Sequence, residues 1–271
     1  MTVVDWKELV RWDRMPHILC PGCGNGTILN ALVRVLAEKF EEGELDPDKT
    51  VLVSGIGCSS RLPGYVKLDS LHTTHGRPLA FATGIKLANP DLEVIVITGD
   101  GDAAAIGGNH LIHAARRNLD VTVICANNYI YGMTGGQVSP TTPRGAKSTT
   151  TPYGNPEPPF DLCELVMGAG APHVERWTTA HPAQLKAAIA RALEREGFSF
   201  IDVLCQCPTN YGRRNDMRDP REMVEWLREN TSTREEEGKI RIGILRDEER
   251  EPFHKRMYDM IEEVRTGEEG D

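Results

Sequence analysis

Two β-branched runs, "EVIVITGDGD" at 93–102 and "VTVICANN" at 121–128, constrain what this chain can fold into more than any other feature. Each is a short, continuous apolar stretch of the kind buried on both faces of a parallel sheet, and the intervening "AAAIGGNHLIHAARR" reads as a helix. Strand, helix and strand make a βαβ unit. A second alternation follows, with "HVERW" as a strand, "HPAQLKAAIARALERE" as an amphipathic helix and "SFIDVLCQ" as another strand. Upstream, "TILNALVRVLAEKF" at 27–40 has helical periodicity, and "TVLVSGIGCSS" gives a strand over about 51–56 that runs into a Gly-rich turn presenting Cys58. The expected architecture is α/β, a mostly parallel sheet with helices on both faces, and such sheets bind ligands at the carboxyl ends of their strands.

Those strand ends carry the chemistry. "GDGD" at 99–102 follows "VIVIT" directly, and "NN" at 127–128 closes the next strand. An Asp and an Asn on adjacent strand ends offer hard oxygen ligands, which suit a small cation such as Mg²⁺ that fills its remaining positions with water and phosphate. Glycines beside Asp100 let backbone amides approach a diphosphate, with a helix N-terminus behind them. Gly-Asp-Gly also makes ordinary turns. A nicotinamide fingerprint is the natural competitor, and "GDGDAA" formally meets its first half, with Ala104 in the third position. The acidic residue expected at the end of the following strand is missing, and Asn127 and Asn128 stand there instead.

Of the seven cysteines, Cys125 falls inside a strand and Cys163 on the helix "FDLCELVMG", where small apolar core residues are expected. Cys20, Cys23, Cys58, Cys205 and Cys207 remain. Thiolates in fours suit zinc or an iron–sulfur cluster, and "CPGC" alone could also be a redox disulfide. "CQC" is too tight for a typical second zinc knuckle, and "RWDRMPHIL" lacks the strand that thioredoxin chemistry needs. Alternation along "FIDVLCQC" puts Cys205 and Cys207 on one side, so the pattern does not choose between them.

A net charge of −9 tells against nucleic acid or an anionic membrane as the main partner. The first sixteen residues are charged where a signal peptide needs an apolar stretch, and no apolar run approaches membrane-spanning length, so a cytoplasmic location is expected. Residues 131–160 are rich in Thr, Gly and Pro without periodicity, which suits a functional covering loop. From Tyr211 onward the composition shifts to 13 Lys/Arg and 18 Asp/Glu in 61 residues. We therefore expect a main domain over 1–210 and a mixed-charge extension over 211–271, with a helix at "DPREMVEWLREN" and a strand at "KIRIGIL".

Taken in order, "CPGCG", "GIGCSS", "HGR" at 75–77, "GDGD", "NNYIYGMTGGQ" and "CPTNYG" resemble the β subunit of the 2-oxoacid:ferredoxin oxidoreductases, from Cys20 through about Tyr211. The resemblance implies a thiamine-diphosphate-binding (pyrophosphate-domain) fold. It assigns Mg²⁺ to Asp100, Asn128 and the carbonyl of Ile130, and one [4Fe–4S] cluster to Cys20, Cys23, Cys58 and Cys207, the last preferred to Cys205 by the "QCPTNYG" context. It places Ile56, Gly57, Cys58, Ser59, Gly101, Asp102, Gly132 and Met133 around the cofactor, with His75 beside it in a possible catalytic role; a loop hydrogen-bonder is the plainer reading of that histidine.

The implied reaction is CoA-dependent oxidative decarboxylation of a 2-oxoacid with electrons passed to ferredoxin, or its CO₂-fixing reverse. The pyrimidine-binding domain of such enzymes has no room in 271 residues, so the resemblance implies a separate α subunit, in a heterodimer or a dimer of heterodimers. Met133 and "SLHTTHGR" resemble the 2-oxoglutarate-type branch, with pyruvate or another 2-oxoacid as the alternative. Arg77, Arg144 and Lys147 are candidate cations for a distal carboxylate. Two other readings are a non-oxidative thiamine-diphosphate lyase or transferase, and a non-catalytic metal-binding relay or scaffold subunit.

Overall fold

A computed structural model describes residues 5–267. Helix α1 (Asn25–Glu42) forms where Ile28, Leu32, Val35 and Leu36 recur at helical spacing, and all four are buried. It stops at Gly43, whose φ of +74° closes the last turn. The chain continues through β1 (Thr50–Ser54), β2 (Asp69–His72), α2 (Pro78–Ala88), β3 (Glu93–Gly99), α3 (Gly108–Arg117) and β4 (Val121–Asn127). A small hairpin, β5 (Ile130–Tyr131) and β6 (Gln137–Val138), opens the long loop. Then come α4 (Leu162–Gly168), β7 (His173–Thr178), α5 (Pro182–Leu193), β8 (Phe198–Leu204) and α6 (Pro220–Glu229), followed by β9 (Thr231–Ser232), β10 (Ile240–Arg241), β11 (Gly243–Asp247) and α7 (Phe253–Thr266).

Seven strands form the main sheet in the order β11-β7-β8-β4-β3-β1-β2, all parallel except β11, which pairs antiparallel with β7. Helices cover both faces. One apolar cluster joins α1 and α5 to the sheet, and a second joins α2, α3 and α4 to the other side. β3, β4 and β8 are buried along nearly their whole length, which explains why their sequences read as continuous apolar runs.

The sheet also carries a buried ionic group. Glu175 on β7 accepts from Trp177 Nε1 at 2.7 Å and from the Arg191 guanidinium at 2.7 and 2.9 Å, with His173 Nε2 3.2 Å away.

The structure departs from the sequence expectations in four places. α2 has no polar stripe, because its outward face is Ala80, Phe81 and Gly84, so periodicity did not reveal it. β2 is a four-residue, fully exposed edge strand without alternation. The helix expected from Ala103 begins at Gly108, after a wide turn at Asp102–Ile106. Gly107 lies so close there that a Cβ would stand 2.4 Å from the Asp102 carbonyl. "KIRIGIL" is split between β10 and β11, which belong to different sheets.

Candidate active site

The register of β3 and β4 pairs Gly99 with Ala126, so the chain leaves both strands side by side at their carboxyl ends. Asp100 is buried there. Its Oδ2 accepts hydrogen bonds from Ser139 Oγ and Thr141 Oγ1 at 2.5 and 2.7 Å, and the Asn128 N–H also donates to the carboxylate. Burial pushes this carboxyl above the usual range, while the two hydroxyls and the amide pull it back. A dry carboxylate of this kind is well matched to a cation. Asn128 Oδ1 accepts from the Ile130 N–H at 3.2 Å, and the chain reverses through Tyr129 at φ +64°. The turns after β3 and β4 thus bring a carboxylate, a carboxamide and the Ile130 backbone to neighbouring strand ends.

A cleft of about 90 Å³ opens beside these donors, walled by Ile56–Ser59, His75, Gly99–Asp102 and Tyr131–Thr134. Gly101 is the closest approach. Tyr131 donates to its carbonyl at 3.0 Å, and a Cβ on Gly101 would stand 2.4 Å from the Tyr131 ring. Asp102 is buried, and its carboxylate acts as a clamp: it accepts from the N–H groups of Ile56 and Gly76 at 3.1 and 2.7 Å, from Thr98 Oγ1 at 2.8 Å, and pairs with His75 Nδ1. Three loops meet at this one side chain. Opposite a carboxylate the proton of a neutral imidazole sits on Nδ1, leaving Nε2 as the basic nitrogen of a ring that lines the cleft.

Across a shared wall lies a second cavity of about 250 Å³, bounded by Cys20, Cys23, Cys58 and Cys207. Cys58, Asn128, Gly132 and Met133 line both spaces. Gly132 is pressed between sulfurs, since a Cβ there would stand 3.3 Å from Cys58 Sγ and 3.7 Å from Cys207 Sγ. The backbone N–H groups of Asn210 and Tyr211 near Cys207, and that of Asn25 near Cys23, favour the ionised thiols. Burial, with the neighbouring thiols, pushes Cys23 up to about 12 and Cys58 up to about 11, so thiolates here need a metal to hold them ionised.

Among the described residues no three His, Cys, Asp or Glu side chains converge as the ligands of a single metal ion would. The four cysteines line one cavity. Cys205 is elsewhere: β8 ends at Leu204, the strand alternation lapses, and Cys205 lines a different pocket with Tyr129, Tyr211 and Trp226.

Comparison with known proteins follows the same lines. The family model for "Thiamine pyrophosphate enzyme, C-terminal TPP binding domain" matches residues 55–203. The "2-oxoglutarate synthase subunit KorB" of Methanothermobacter marburgensis is 59% identical, over 95% of this chain and 92% of its own length. The protein of the same name from Methanocaldococcus jannaschii is 54% identical, over 96% and 98%. The chain belongs to the 2-oxoacid:ferredoxin oxidoreductase β subunits. Among solved structures, a 2-oxoglutarate:ferredoxin oxidoreductase from Magnetococcus marinus, with 2-oxoglutarate, coenzyme A and succinyl-CoA bound, superposes with a TM-score of 0.86 at 33% identity, covering 98% of this chain and 92% of that one.

In this β subunit the fold expected from the motifs is present, and the residues singled out from the sequence fall into the two adjoining cavities. Sequence reasoning missed Ser139, Thr141 and Tyr131. The first two stand in the Thr- and Pro-rich loop, and the signal available was hydroxyl density near a proposed cation site. Of the three candidate cations, Arg77 is tied to the carbonyls of Gly76 and Ile106 at 3.3 and 2.8 Å, while Arg144 and Lys147 are exposed.

Proposed function

We propose that this β subunit, with an α subunit carrying the pyrimidine-binding domain, catalyses the CoA-dependent oxidation of 2-oxoglutarate to succinyl-CoA and CO₂ with ferredoxin as electron acceptor, or the reverse. The observation that carries the proposal is the shared wall between an oxygen-donor cleft and a four-cysteine cavity. Asp100, Asn128 and the Ile130 carbonyl would hold Mg²⁺ and through it the diphosphate of thiamine diphosphate, with Gly101 allowing backbone contact.

Cys20, Cys23, Cys58 and Cys207 would hold one [4Fe–4S] cluster. When bound, thiamine diphosphate supplies the carbanion that attacks a 2-oxoacid, and the cluster accepts electrons singly. The chain's own part is positional. Asp102 holds His75 and the Ile56 turn in place on the cleft wall. Residues 1–210 make up the cofactor-binding domain, and 211–271 an extension whose β11 edges the sheet.

Two observations support the partner. Ile56 and Met133, at the rim of the cleft, are 37% and 42% exposed, and Ile106, on the turn that follows Asp102, is 46% exposed. No helix of the described residues is long and apolar enough to cross a membrane.

The test is anaerobic co-expression with the α subunit and assay of CoA-dependent acceptor reduction. Activity on 2-oxoglutarate well above that on pyruvate is expected, and the opposite preference would overturn the substrate assignment. Replacing Asp100 by Ala should abolish thiamine diphosphate retention while leaving iron content intact; undiminished cofactor retention would refute the magnesium assignment.

A further inference from the structure

Three segments carry the four cysteines around the second cavity: residues 11–24, 58–67 and 207–221. Together they hold eight Lys/Arg against three Asp, in a chain whose net charge is −9. Their positive charge is therefore a local inversion. The segments are also physically joined. Val10 bridges to Val66, the Ile18 N–H donates to the Tyr65 hydroxyl at 3.0 Å, and the Gly24 N–H donates to the Gln206 carbonyl at 3.0 Å. Gly22 meets Pro220 so closely that a Cβ would lie 2.2 Å from the proline ring. One continuous face results.

Four cations on this face, Arg61, Lys67, Arg213 and Arg218, are exposed and make no ion pair among the described residues. Cys20 is exposed and lines the cavity mouth with Ile18, which is 69% exposed, and Arg61, with Trp12 at 54% exposure a few residues upstream. Unpaired surface cations around a small apolar spot have a specific use. They steer an anionic partner toward a contact that is brief, because little area is buried and the attraction is long-ranged and salt-sensitive. Transient redox contacts are of this small class.

We propose that this face is the docking surface for an acidic, one-electron iron–sulfur carrier protein, with Ile18 and Cys20 at the point of contact. The proposal rests on the reading that Cys20, Cys23, Cys58 and Cys207 hold a redox cluster. Because Cys20 is the exposed ligand, the shortest path out of the cavity passes through it. The surrounding charge selects a carrier of opposite sign from a background of neutral and basic proteins.

The experiment uses the complete enzyme with its α subunit, purified anaerobically, and two acceptors: a purified acidic 2[4Fe–4S] ferredoxin and methyl viologen. For the wild type, kcat/KM for ferredoxin should fall roughly tenfold or more between about 20 and 300 mM NaCl, as steered encounters do. Reversing two charges, Lys67→Glu with Arg218→Glu, should lower ferredoxin kcat/KM at low salt by about tenfold or more and flatten the salt dependence. The methyl viologen rate should be unchanged. Arg116→Glu, a single charge reversal at the C-terminal end of α3, should behave as wild type in both assays.

A salt-insensitive wild-type ferredoxin rate overturns the proposal, as does a double variant that matches wild type or one matched by Arg116→Glu. A raised KM for CoA with methyl viologen would give the face to the phosphates of CoA. Loss of the α subunit during purification would give it to subunit assembly. If the wild type fails to reduce methyl viologen with 2-oxoglutarate and CoA, the activity reading itself falls and the docking proposal falls with it; a defect confined to ferredoxin separates the two.

Discussion

Cys205 and Cys207 show how much one residue's placement decides. They are two positions apart, and a strand continued through them would aim both the same way. Because β8 ends at Leu204, Cys207 instead stands at the start of the turn Pro208–Gly212 and lines the four-cysteine cavity, while Cys205 packs in a pocket with Tyr129. Cys207→Ser should therefore lose most of the iron and the visible absorption of the anaerobically purified protein, whereas Cys205→Ser should keep both. Equal iron loss in the two variants would mean that the two thiols share the ligand role.

Gly101 makes a second test at this scale. A methyl group there overlaps the Tyr131 ring, and such overpacking costs roughly 1–3 kcal/mol. In Gly101→Ala the Tyr131 ring, which lines the cleft, must shift, so thiamine diphosphate titration should show weakened binding beyond what the lower melting temperature accounts for.

Among the elements, the long loop between β4 and α4 is a brace. Thr142 Oγ1 donates to the Tyr129 carbonyl at 2.6 Å, Asn155 donates to the Thr142 carbonyl at 2.8 Å, and Ser139 and Thr141 hold Asp100. Thr141→Val deletes one hydroxyl from a buried carboxylate while keeping shape, a loss on the order of 1.5 kcal/mol. Thiamine diphosphate affinity should drop about tenfold in a magnesium titration, with the cluster spectrum unchanged. An unchanged affinity would leave Thr141 as packing.

The same loop marks where sequence stops being legible. The strands β3, β4 and β8 announce themselves because burial on both faces leaves mostly apolar residues, and the turn after β3 because glycines and acids follow a strand. Ser139 and Thr141 gave no periodic signal, since their places are set by tertiary hydrogen bonds. α2 was silent for a different reason: its outward face is apolar, so there is no contrast to detect.

At the level of the whole molecule, charge as well as packing ties α5 to the sheet near its β11 edge. Burial by itself would raise Glu175, but hydrogen bonds from His173, Arg191 and Trp177 outweigh it and hold the carboxyl at about 2. A carboxyl depressed in the folded state contributes stability that is fully present above its unfolded value near 4.3 and is lost as pH falls toward 2. Glu175→Gln should lower stability at pH 7 by roughly 3 kcal/mol, because the charge-assisted hydrogen bonds of the buried carboxylate to Trp177 and to the partly exposed Arg191 are weakened. The gap between variant and wild-type melting temperatures should narrow as the pH is brought below about 4. A constant gap would show that the effect is steric.

The double duty of Cys58, Asn128, Gly132 and Met133 has a consequence for the life of the protein. Two compartments that share a partition are not serviced separately. With the proposed cluster in the sulfur side, its loss to oxygen would also slacken the stretch of chain on which the oxygen-donor side rests. A damaged copy would then fall silent altogether, and it would not go on consuming its substrate with nowhere to deliver the electrons.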